Sequence, residues 1–168
     1  MSKISILHIS DLHKPEGLTY DTLLDSLFDD RERWKQENIT LPSYIVISGD
    51  LIQGAYTDDE IQTQYEEVAK FLDKLIKEFL DGDKLRLIMV PGNHDMNRAC
   101  SSMAMKELVA PTTDELKKLK EAYWCPEKMI RFDWKNMHFF KVDNISLYQH
   151  RFDLYKRFYD KFYGGARI

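Results

Sequence analysis

The sequence predicts an α/β fold in which a parallel sheet carries polar loops at one edge. Two observations lead there. Three short apolar runs, residues 4–9, 44–48 and 85–90, alternate with two amphipathic helical stretches, and helices between buried strands are the crossovers that parallel strands require. Each run also ends in polar, turn-forming residues, and in open α/β sheets functional groups gather in the loops beyond the carboxyl ends of the strands.

Taken in order, Ile4-Ser5-Ile6-Leu7-His8-Ile9 reads as a buried strand and residues 10–17 as the loop after it. Residues 21–37 read as a helix with Leu23, Leu24, Leu27, Phe28 and Trp34 on its apolar side. Tyr44-Ile45-Val46-Ile47-Ser48 is a second strand, ended by Gly49, and residues 51–56 are loop. The next helix has the clearest pattern: Thr57 and Glu60 form a capping box that satisfies amides orphaned at a helix start. Ile61, Tyr65, Val68, Leu72, Leu75 and Phe79 then recur at spacings of four and three on one face. Gly82 follows as a terminator, and a third strand over 85–90 is stopped by Pro91-Gly92.

Beyond Asp95 the pattern changes. A helical region containing Met103, Met105 and Leu108 leads to Pro111, and residues 112–123 form a helix with Thr112 and Glu115 as a second capping box. Residues 132–142 are ambiguous. A helix over 146–163 carries Tyr148, Phe152, Tyr155, Tyr159 and Phe162 on one stripe, which reads as packing surface. From residue 141 onward six basic residues face three acidic ones, so stacking of this stripe on a single-stranded nucleic acid is the alternative.

The chain has 168 residues, 43% hydrophobic and 31% charged, with a net charge of −4. This is an ordinary globular composition, and the negative balance gives no general attraction for nucleic acid or anionic membrane. No apolar run approaches membrane-spanning length, and the start lacks the apolar core of a signal peptide. The expected location is cytoplasmic. Cys100 and Cys125 match no disulfide framework or zinc pattern and read as reduced thiols.

Three clusters sit at the three strand ends: Asp11-Leu12-His13, Gly49-Asp50, and Gly92-Asn93-His94-Asp95. Residues two apart in an extended segment point the same way, so Asp11 and His13 are able to clasp one ion. Gly49 allows the tight turn that brings Asp50 into reach. Asn93 offers an amide oxygen, His94 a proton donor or ligand, and Asp95 a carboxylate to orient the His94 ring. Singly, Asp11 also reads as a helix cap and Asp50 as a turn residue. Jointly, metal-compatible residues at three successive strand ends point to a metal site. Arg98 reads as an exposed loop cation, with contact to a phosphate oxygen as its alternative.

The runs Ile6-Leu7-His8-Ile9-Ser10-Asp11-Leu12-His13, Val46-Ile47-Ser48-Gly49-Asp50-Leu51 and Val90-Pro91-Gly92-Asn93-His94-Asp95 resemble the first three signature blocks of the calcineurin-like metallophosphoesterases, over residues 3–98. The resemblance implies that Asp11, His13 and Asp50 hold one metal and that Asp50 bridges to a second, which Asn93 also binds. It implies that His94 acts at the leaving group with Asp95 in support. The implied cofactors are two divalent metal ions, manganese, iron or zinc. The implied activity is hydrolysis of a phosphodiester, a phosphomonoester or a nucleotide, with a nuclease as a lesser alternative.

That family completes its site with later histidines, including a Gly-His-x-His block that this sequence does not contain. His138 and His150 read as surface or packing residues, not as replacements. The implied fold is the βαβαβ half of a four-layer αββα sandwich, truncated, with residues 1–98 as the metal-binding part and 99–168 as a mainly helical insertion or cap. One sheet face is then expected to lack its cover. The remainder of the same polypeptide, or a partner chain, is expected to complete the site. A non-catalytic module with this fold is the competing reading.

Overall fold

The computed structural model describes residues 4–13, 19–110 and 112–164. In chain order the elements are β1 (Ile6–Ile9), α1 (Asp21–Gln36), β2 (Tyr44–Ser48), α2 (Asp58–Phe79), β3 (Leu87–Val90), α3 (Arg98–Met103) and β4 (Met105–Leu108). They continue with α4 (Thr113–Tyr123), β5 (Ile130–Asp133), β6 (His138–Val142), α5 (Ile145–His150) and α6 (Asp153–Tyr163). The chain divides into two compact units, residues 1–96 with 152–168, and residues 97–151.

The first unit is a parallel sheet in the order β1-β2-β3, as the alternation of strands and helices predicts. The register aligns Leu7 with Ile45 and Ile45 with Leu87, and Ile9 with Ile47 and Ile47 with Met89. This row faces the helices, and Ile45, Ile47 and Leu87 are fully buried. Ile61, Tyr65, Val68, Leu72, Leu75 and Phe79 of α2 all lie in the same core. Thr57 caps α2 by accepting from the Glu60 amide, and a left-handed turn through Asp81 and Gly82 ends the segment after it. The α6 aromatics Tyr155, Phe158, Phe162 and Tyr163 join this core, so its stripe is packing surface.

The opposite sheet face is open. Ile4, Ile6, Tyr44, Ile88 and Val90 are between 40% and 69% exposed, in keeping with the expected uncovered face.

The second unit corrects several local expectations. Residues 103–108 are not one helical region: α3 stops at Met103 and Met105–Leu108 pairs antiparallel with β6. The ambiguous stretch 132–142 is a hairpin, β5 against β6, giving a sheet in the order β4-β6-β5. The expected mainly helical segment thus contains a three-stranded antiparallel sheet within the second unit. Thr112 and Glu115 form the expected reciprocal capping box of α4. The expected single helix over 146–163 is broken at Arg151 and Phe152. The Arg151 carbonyl accepts from the Asn97 amide at 2.9 Å, so it is engaged outside any helix running on into α6.

Candidate metal centre

Asp11, Gly49 and Asp50 follow β1 and β2 in left-handed backbone conformations, with φ of 55°, 94° and 55°. Two aspartates held there carry about 1–2 kcal/mol of strain each, which persists only where the surroundings fix it. The surroundings here are neighbouring loops. The His13 amide donates to the Asp50 carbonyl at 2.9 Å, tying the first loop to the second. The His94 amide donates to Asp50 Oδ1 at 2.8 Å, tying the third loop to the same residue.

The two glycines make this approach possible. A Cβ on Gly49 would lie 2.8 Å from Gly92 Cα, and one on Gly92 would lie 2.2 Å from Asp50 Oδ1. The second and third loops therefore meet backbone to backbone, and any side chain at Gly92 would occupy the place of the Asp50 carboxylate.

The result is a cluster. Ligand-capable atoms of His13, Asp50 and His94 lie within 4.8 Å of one another. The His13 and His94 rings stack at 4.7 Å between centroids. Asp11 stands beside this group, with Oδ1 4.0 Å from His13 Nε2, but its side chain is 68% exposed. Asn93 is also exposed. Of the residues the sequence singled out, His13, Asp50 and His94 are thus brought together, Asp11 adjoins them, and Asn93 lies at the surface of the third loop.

The expectation that Asp95 orients the His94 ring is not what the structure gives. The Asp95 carboxylate is 1% exposed and accepts from three amides, Leu51 and Ile52 at 3.2 Å and Gly92 at 2.8 Å. Burial pushes its carboxyl above the ordinary carboxylate range, the Asp50 charge adds to this, and the three amides hold part of the shift back. Adjacent side chains in this bend diverge, so Asp95 points inward between the second and third loops while His94 turns toward the cluster.

His94 is oriented by main chain instead. Its Nδ1 lies 2.8 Å from the Gln53 carbonyl. A carbonyl only accepts, so Nδ1 carries a proton. An imidazole whose second nitrogen donates to a carbonyl is the usual arrangement of a metal-binding histidine.

Sequence reasoning missed three residues. Gln53 acts through its carbonyl and leaves no side-chain signature. The Tyr65 hydroxyl donates to the Asp95 carbonyl at 3.3 Å, and that of Tyr20 to the Leu51 carbonyl at 3.2 Å. Burial, with the nearby charges of Glu67 and Asp95, pushes the Tyr20 hydroxyl up to about 12, so it remains a donor at any ordinary pH. A buried tyrosine on an apolar helix face needs a partner for its hydroxyl, a signal that singles out Tyr65. His138 sits at the surface, 3.0 Å from a Glu107 oxygen, and His150 is exposed.

A family model described as calcineurin-like phosphoesterase matches residues 4–164. Comparisons with curated proteins and with solved structures gave no match.

Proposed function

This chain belongs to the calcineurin-like phosphoesterase family, and from that premise we propose that it is a metal-dependent hydrolase of a phosphodiester or phosphomonoester, with nucleotides among the substrates it would accept. The observation that carries this reading is the convergence of His13, Asp50 and His94 from three separate loops. Imidazole nitrogens with carboxylate oxygens are a donor set suited to manganese, iron or zinc.

Asp11, His13 and Asp50 would hold one ion, and Asp50 with Asn93 a second. Two divalent ions, when bound there, would supply an acidified water and neutralise charge on the phosphate. Asp50 is fixed for this by the His94 amide. His94 is the proton donor: with Nδ1 committed to the Gln53 carbonyl, protonation puts an N–H at Nε2 for the departing oxygen. Asp95 is a positioning residue, holding the Leu51–Ile52 and Gly92 amides in one arrangement. The two free thiols, Cys100 and Cys125, suit a reducing cytoplasm.

One observation favours a second reading. Asp11 and Asn93 are exposed, so this family member would be a module whose metal site is completed by ligands from a longer polypeptide or a partner chain, or one that binds without catalysis.

The test is hydrolysis of bis-p-nitrophenyl phosphate with manganese, beside a manganese titration. Asp50→Ala and His94→Ala should each lower turnover by about 100-fold or more. Turnover unchanged in both variants rejects the enzyme reading. Metal binding that needs Asp50, without turnover, supports the module.

A further inference from the structure

Away from the metal cluster, the first unit contains a half-open cavity of about 390 Å³ between α2 and α6. Its apolar wall is formed by Tyr65, Leu154, Phe158 and Phe162, with Tyr65 and Phe158 stacked at 4.6 Å between centroids. This size and lining suit a small organic ligand, since such sites are largely apolar with a few polar groups that fix orientation.

The charges at its rim select the sign. Lys84 is already neutralised by Asp73 at 2.9 Å and lies 4.4 Å above the Phe162 ring. Glu66 is 3.4 Å from the Gln62 amide nitrogen. Arg157 and Lys161, one helical turn apart on α6, line the same cavity, and neither side chain has a hydrogen bond or ion pair among the described residues. A guanidinium and an ammonium beside an aromatic wall suit an anionic head above an apolar body.

We propose that this cavity is a binding site for a small amphipathic anion, its apolar body against Phe158 and Phe162 and its carboxylate, sulfonate or phosphate head between Arg157 and Lys161. None of His13, Asp50 and His94 lines it, and only Tyr65 is shared with the surroundings of the metal cluster.

The test is a fluorescence titration of the whole chain with 8-anilinonaphthalene-1-sulfonate in excess EDTA, which removes any contribution of bound metal. One saturable component is expected, weakened at least tenfold in the Arg157→Glu/Lys161→Glu double variant and unchanged in Asp50→Ala. Both cations are exposed, so circular dichroism should match that of the unaltered chain. If the double variant does not fold, Gln62→Trp, which narrows the cavity from its exposed rim, should give the same loss. An Ile6→Ser/Ile88→Ser variant on the open sheet face should retain the component. Displacement by dodecanoate assigns the site to lipid-like carboxylates and displacement by adenosine monophosphate to nucleotides; either supports the proposal. Dye bound as tightly by the charge-reversed or narrowed variant as by the unaltered chain overturns it, whatever the outcome of the hydrolysis assay.

Discussion

Residues 1–96 with 152–168 and residues 97–151 bury apolar surface by different means. In the first unit a long helix lays a continuous stripe on the covered face of a parallel sheet, and Ile45, Ile47, Leu72, Leu75 and Leu87 are wholly removed from water. In the second, the buried apolar residues are Ala104, Ile130, Phe139 and Val142 among those described, and α4 has no buried residue at all. Its cohesion rests on contacts between rings, Phe139 tilted against Phe132 at 4.6 Å and meeting Tyr123 edge to face at 6.3 Å, while Trp124 and Trp134 stand 81% and 73% exposed. A small core supports little independent stability, so the first unit has the rigidity to hold strained aspartates, and the second should open more readily.

The sharpest way to break that contrast is Gly92→Ala. Its Cβ would collide with Asp50, so manganese binding and turnover should both be lost. Hydrogen exchange in β4, β5 and β6 should not change.

Phe71→Ala should cost about 3–5 kcal/mol, since Phe71 is 2% exposed in the larger core. Urea unfolding followed by exchange in β1–β3 would register it, and a loss below about 1 kcal/mol would contradict the packing described. Phe139→Ala should cost about 3 kcal/mol and remove protection from the β5–β6 hairpin while β2 keeps its own. Coincident loss in both sheets would show one cooperative block instead of two. The smallest effect expected is that of Thr112→Ala, which removes the capping box of α4 at a cost of about 1 kcal/mol. Faster exchange confined to the first turn of that helix is the signature.

The same contrast explains what could be read from residues alone. The 44–48 strand and the α2 stripe follow the expectation closely, because alternation and the four-three repeat are direct consequences of burying one face. The convergence of His13, Asp50 and His94 was legible too, since each follows a strand and offers a side-chain atom able to bind a metal. β4 was not. Met105-Lys106-Glu107-Leu108 has apolar ends compatible with a helix, and its strand character comes from pairing with β6, far along the chain. The break at Arg151 was equally hidden, because it depends on the Asn97 amide. Within the site, the role of Asp95 depends on which amides the loop turns toward it, and side-chain identity does not encode that.

The contact between His94 and the Gln53 carbonyl has a consequence for how this imidazole can be altered. Its anchor belongs to a peptide group, so replacing the Gln53 side chain leaves the anchoring oxygen in place. What aims that oxygen is the tilt of the peptide plane joining Gln53 to Gly54, and Gly54 has a φ of 73°, a conformation costly to a β-branched residue. The tautomer of the His94 ring is therefore governed from a glycine outside the cluster, and Gly54→Val would rotate the anchor away while leaving every acidic and imidazole group in the sequence.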